Sequence, residues 1–159
     1  PALRIGFLIV PPFLRDTFSR AIRVYTQGVP PNTQQFLAEA LTDGFFSAHI
    51  RRMKKIYSER RAILYQSARS ELQEMMKVEL PPSGLHTVGH IICNVKEQDI
   101  ATQAAKRGIS VTPIERFSLA PTPYRGLVLG FSSARPSELK DGVKVLAAEF
   151  DRLRRKRIT

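Results

Sequence analysis

The chain has 159 residues, 43% of them hydrophobic, which is enough for one domain with a buried core and too many for a disordered segment. No apolar run reaches the roughly 18 residues of a membrane span, the start shows no signal-peptide pattern, and a single cysteine, Cys93, excludes an internal disulfide framework. A cytoplasmic, bacterial-type setting is expected; the formal charge of +11 points to nucleic acid or another polyanion, or to a basic surface whose acidic partner lies on another segment.

The chain opens on Pro1 without an initiator methionine and enters an apolar run almost at once, as expected of a piece of a longer protein. Residues 3–10, LRIGFLIV, read as a buried strand with Leu3, Ile5, Phe7 and Ile9 on one face and Arg4, Gly6 and Leu8 on the other. A helix is expected from Pro12 to Tyr25, with proline in its first turn. After the loop at residues 27–33, Asn32 or Thr33 is placed to cap a helix carrying Phe36, Leu37, Ala40 and Leu41, and Gly44 marks its end.

The longest element is expected over residues 47–76, where Ile50, Met53, Tyr57, Leu64, Ala68, Leu72 and Met75 recur at helical spacing. At 1.5 Å per residue it would span about 45 Å, long enough to bridge two lobes. Pro81, Pro82 and Gly84 close it. Residues 85–95 read as a strand, 97–107 as a helix stopped by Gly108, 109–114 as a short strand and 126–132 as a continuous apolar strand. A last helix starts near Pro136 with Leu139, Val143, Leu146, Phe150 and Leu153 as its core stripe and a basic tail, Arg152 to Arg157. From residue 78 onward this order suits a two-layer α/β domain.

Chemistry-bearing motifs are sparse. His86 and His90 have ligand spacing for a helix, but on a strand they stand about 13 Å apart, too far to share an ion, so no metal site is expected. Cys93, on the apolar face of its strand, reads as an inert thiol. Neither a nucleophile elbow nor a glycine-rich phosphate loop occurs. The run Arg51, Arg52, Lys54, Lys55, Arg60 and Arg61 reads as a solvated helix face.

Five phrases in order carry a resemblance. ALRIGFLIVPP looks like the stretch after the cofactor lysine of fold-type I pyridoxal-phosphate proteins. QQFLAEALTDGFFSAHIRRMKKIYSERRAIL, GLH at 84–86, KRGISVTPIERF at 106–117 and GLVLGFSSA at 126–134 resemble the MocR type of GntR-family transcription regulators. The resemblance implies the small C-terminal domain of the fold-type I aminotransferase fold (α/β, two-layer α+β) with a long interdomain helix. Residues 1–45 would be a remnant of the large cofactor-binding domain and 46–159 the small domain. It implies a parent that binds DNA through an N-terminal winged helix, forms a homodimer, and holds pyridoxal 5′-phosphate on a lysine. That lysine would lie just ahead of Pro1, so this chain would have no catalytic residue and would not bind the cofactor alone.

Arg4 matches the family arginine that grips the cofactor phosphate, a role suited to a guanidinium fork. Many aminotransferases carry a substrate-carboxylate arginine inside the strand matching GLVLGFS; here that position is Val128. The departure argues against an ordinary transaminase, and it leaves Arg116 and Arg125 as candidates for the carboxylate of an amine or amino-acid effector. The alternative readings are a C-terminal piece of an aminotransferase of the 2-aminoadipate or kynurenine type, and a small basic nucleic-acid-binding module.

Overall fold

A computed structural model describes residues 4–26, 28–120 and 123–156; the expected positions Leu3 and Arg157 lie outside the described residues. The chain divides into two compact units, Pro1–Arg52 and Met53–Thr159.

In the first unit a 3-10 turn, Pro12–Leu14, leads into α1, Arg15–Tyr25, and α2 covers Pro31–Thr42. Prolines open both segments because the first helical turn has no use for an N–H at that position. Pro31 takes the first helical place of α2, so Asn32 and Thr33 lie inside the helix and no side chain caps it. Residues 4–10 are not a strand: among the described residues no strand pairs with them. A strand needs a neighbour to take its backbone hydrogen bonds, and apolar alternation alone does not supply one. Neither α1 nor α2 buries a residue, and Phe7, Ile9, Phe13 and Phe36 are exposed.

Gly44, at φ +76°, turns the chain from α2 into α3, Phe45–Glu71. The second unit holds the rest: β1 (Met76–Val78), β2 (His86–Ile91), α4 (Glu97–Lys106), β3 (Thr112–Pro113), β4 (Gly126–Gly130) and α5 (Pro136–Lys156). The sheet order is β1-β2-β4-β3, with every neighbouring pair antiparallel. The core gathers Leu64 and Ala68 from α3, Leu72 just beyond its end, Ile100 and Ala104 from α4, and Leu139, Val143, Leu146 and Phe150 from α5 against Leu127, Leu129 and Phe131. The two faces of β4 differ accordingly: Leu127 and Leu129 are buried, while Val128 between them is half-buried on the other face.

The end of α3 differs from the helical reading to residue 76. The helix stops at Glu71, and Met76–Val78 pairs with β2 as a strand, Met76 opposite Ile91. Both spacings bury Met75 and Met76, and the unpaired edge of β2 decides for the strand. Gly108, at φ +78°, ends α4: its N–H donates to the Ala105 carbonyl and that of Ile109 to the Ala104 carbonyl, both orphaned at the helix end.

At the start of α5, Glu138 takes back the Arg135 N–H at 2.7 Å and pairs with its guanidinium at 2.6 Å, half of a reciprocal capping arrangement. The Arg135 side-chain contact, reinforced by the Arg135 N–H, holds the Glu138 carboxyl below its ordinary range. A depressed carboxylate stabilises the fold above its unfolded pKa, and that contribution disappears as pH falls through the folded one. Glu138→Gln should therefore lower the urea midpoint at neutral pH, with the gap to the native chain closing on acidification below about pH 4; a gap independent of pH would refute this origin.

Gly126 supplies a second test. A Cβ there would stand 2.6 Å from the Gly89 carbonyl oxygen, which as backbone cannot move aside, whereas a Cβ on Gly130 meets nothing within 4 Å. Gly126→Ala should cost roughly 1–3 kcal/mol in equilibrium denaturation, and Gly130→Ala should stay near neutral.

Candidate functional site

The antiparallel register sorts the sheet residues onto two faces. Opposite the core lie His86, Val88 and His90 of β2, Thr112 of β3, and Gly126 and Val128 of β4. Val128 sits across from Val88 on one side and Thr112 on the other, all three half-buried. The centre of this face thus offers methyl groups and a hydroxyl. The two histidines share the face four residues apart on an extended strand. Cys93 lies beyond the end of β2, which stops at Ile91, and packs half-buried against the core.

One edge of the face is organised by a residue that sequence reasoning passed over. Glu97, the first residue of α4, is 6% exposed. Its Oε1 accepts the Glu115 N–H at 3.0 Å and its Oε2 the Gly126 N–H at 2.6 Å. A buried carboxylate needs such donors, and the helix N-terminus adds favourable partial positive charge. The two amides belong to the two ends of the segment between the 3-10 turn Ile114–Phe117 and β4, so one carboxylate closes that loop at its base. Arg116 and Arg125 are the chain neighbours of the two clamped amides. Both are exposed, and neither has a side-chain hydrogen bond or ion pair among the described residues. The structure therefore brings the backbones of the two candidate arginines to one anchor. The signal in the sequence was only an acidic residue in a first helical turn; its burial was not legible.

Arg4 is exposed and likewise unpaired among the described residues, at φ +52°. It is the one described non-glycine residue with positive φ, a region that costs an L-residue roughly 1–2 kcal/mol. Its guanidinium suits a phosphate, and the apolar residues after it offer no counter-ion.

The long basic run does not behave as one face. Arg51, Arg52, Lys54 and Lys55 are exposed, but Arg60 and Arg61 turn inward. Arg60 donates to the Ser132 carbonyl, and Arg61 Nη1 donates to the Pro81 and Pro82 carbonyls at 2.8 and 2.6 Å. The expectation of a solvated face fails at these two residues because the carbonyls of residues 81, 82 and 132 need donors more than the guanidinium needs water. On α5, buried Glu149 stands 3.1 Å from Arg107 Nε and 2.9 Å from Arg152 Nε. The second contact is close enough for an ion pair but off the line of a hydrogen bond. Part of the basic tail is thereby absorbed into packing between α4 and α5.

Among the described residues no helix is long and apolar enough to cross a membrane. No family model matches the chain. Over 94% of its length it is 28% identical to the probable rhizopine catabolism regulatory protein MocR of Rhizobium meliloti. It is 30% identical, again over 94%, to the uncharacterized HTH-type transcriptional regulator YdeL of Bacillus subtilis. It spans only 30% and 32% of those two proteins. An uncharacterized aminotransferase of Saccharolobus solfataricus is 21% identical over 92% of the chain, which covers 36% of that protein. Among solved structures, the α-aminoadipate aminotransferase LysN of Thermus thermophilus superposes over 96% of the chain with a TM-score of 0.85 at 18% identity. The kynurenine aminotransferase of Pyrococcus horikoshii does so with 0.85 at 20%. The chain makes up 39% and 38% of those enzymes. The fold is that of the C-terminal part of a fold-type I aminotransferase, and the chain is similar to MocR-type GntR-family regulators over about a third of their length.

Proposed function

We propose that this chain is the C-terminal part of the effector-sensing and dimerising domain of a pyridoxal-phosphate-dependent MocR-type transcription regulator, whose DNA contacts are made by a winged helix outside it. The observation that carries the reading is Val128 on a sheet face of the aminotransferase fold. The place where many transaminases hold an arginine for the substrate carboxylate is apolar here, while similarity to regulators extends along 94% of the chain. A protein that binds amines without processing them has less need of that arginine.

In this reading residues 1–45 belong to the large lobe and residues 46–159 to the small one. The exposure of Phe7, Ile9 and Phe13 is consistent with a surface that another segment covers. Arg4 grips the cofactor phosphate, and its strained backbone is the kind of outlier that functional positions carry. Arg116 and Arg125 contact the effector carboxylate from the loop that Glu97 closes. Pyridoxal phosphate, when bound, supplies an aldehyde that an amine effector can engage. The protein works in the bacterial cytoplasm as a homodimer.

A second reading, an aminotransferase of the 2-aminoadipate or kynurenine type, draws on the solved neighbours with those activities. It requires amino-donor turnover by the longer protein.

The test is absorbance in the roughly 320–450 nm range after adding pyridoxal phosphate to the longer protein and to this chain. A band in the longer protein alone, with cofactor affinity reduced about tenfold or more by Arg4→Ala, is expected. No band in the longer protein would overturn the cofactor reading, and effector affinity unchanged in both Arg116→Ala and Arg125→Ala would remove those two residues.

Glu97 adds a further prediction. Glu97→Ala leaves two buried N–H groups without their acceptor and should cost about 2–4 kcal/mol. The milder Glu97→Gln should weaken effector binding while leaving the cofactor band in place; loss of both together would point to global unfolding.

A further inference from the structure

A cleft of about 530 Å³ opens between α3 and the turn ahead of β2. Lys54, Tyr57, Ser58 and Arg61 line it from one face of α3, and Ser83 and Gly84 from the turn. Their spacing of three, four and seven residues places all four side chains of the helix on one stripe.

Arg61 is the informative member. A guanidinium carries five N–H donors. Both hydrogens of Nη1 are taken by the Pro81 and Pro82 carbonyls, which fix the plane of the group. Nε–H is shielded from water and has no partner among the described residues, and Nη2 has none either. Nε–H is out of reach of a ligand oxygen as of water, so the Nη2 hydrogens are the edge left for an acceptor in the cleft. No carboxylate of the chain takes that edge among the described residues, and no acidic side chain lines the cleft. Lys54, two turns earlier, is exposed at the cleft and also lacks a counter-ion among the described residues.

We propose that this cleft binds a small oxyanion, the phosphate or carboxylate group of a low-molecular-weight ligand, held by Nη2 of Arg61 and the ammonium of Lys54 with the hydroxyls of Ser58 and Ser83 as additional donors. The proposal does not rest on the assignment of Arg4, Arg116 or Arg125. The Arg61 contacts to Pro81 and Pro82 also mean that an occupant would tighten the turn carrying Ser83 and Gly84 against α3.

The experiment is calorimetric titration of the whole chain with inorganic phosphate and, separately, with succinate at low ionic strength. Saturable binding with a Kd of roughly a millimolar is expected for one or both. Lys54→Gln, an exposed substitution that leaves the fold intact, should weaken it roughly threefold to tenfold, and Arg61→Lys by about tenfold or more. Arg4→Ala should leave it unchanged. The tighter of the two probes assigns phosphate or carboxylate as the recognised group. Absence of saturable binding for both anions overturns the proposal, and so does binding that Lys54→Gln leaves intact or that Arg4→Ala removes.

Discussion

The packing of the second unit turns on the buried carboxylate of Glu97. Glu97 is almost fully removed from water, and an ionised acid in that position is tolerable only with strong donors. It finds them in two backbone amides 11 residues apart in the chain, Glu115 and Gly126, and in the partial charge of the α4 N-terminus. The consequence is geometric. The two ends of the segment from the 3-10 turn to β4 share one anchor on α4. Gly126 is drawn so close to the Gly89 carbonyl that a side chain no longer fits.

The same economy of acids governs the rest of the charge. With 25 basic and 14 acidic side chains, many cations must find neutral acceptors or face water. Buried Glu149 serves Arg107 and Arg152 together and couples the end of α4 to the last turns of α5. Arg60 and Arg61 close onto carbonyls of the loops that would otherwise keep unpaired acceptors. Exposed cations such as Arg4, Arg116, Arg125 and Lys54 have no such acceptor among the described residues.

That distribution bears on function. The fold is shared with amino-acid transaminases, and fold alone does not fix chemistry. The sheet face holding Val128 has methyl groups and a hydroxyl at its centre, from Val88, Val128 and Thr112. The regulator reading and the transaminase reading therefore part company at one strand position and at the loop anchored by Glu97.

Several features were legible in the sequence because they are local. The stripe Leu139, Val143, Leu146 and Phe150 announces a helix packed on one side, and all four are buried. Gly108 announces the stop of α4, and the ordered phrases from residue 84 to 134 announce the aminotransferase fold. Other features depended on partners distant in the chain. Met76–Val78 is a strand because β2 has an edge to fill, and residues 4–10 are not one because no described strand pairs with them. Arg60 and Arg61 look like neighbours on a solvated face until carbonyls some 20 and 70 residues away claim them. Glu97 looks like any acid in a first helical turn until β4 arrives beside it. Periodicity and turn chemistry are properties of a few consecutive residues, so the sequence by itself determined where helices form, the core stripe of α5 and the stop of α4, but not the end of α3. Burial of charge and pairing of strands depend on which backbone groups are left wanting partners after the chain has packed, so only the tertiary structure decided the anchor and the free cations around it.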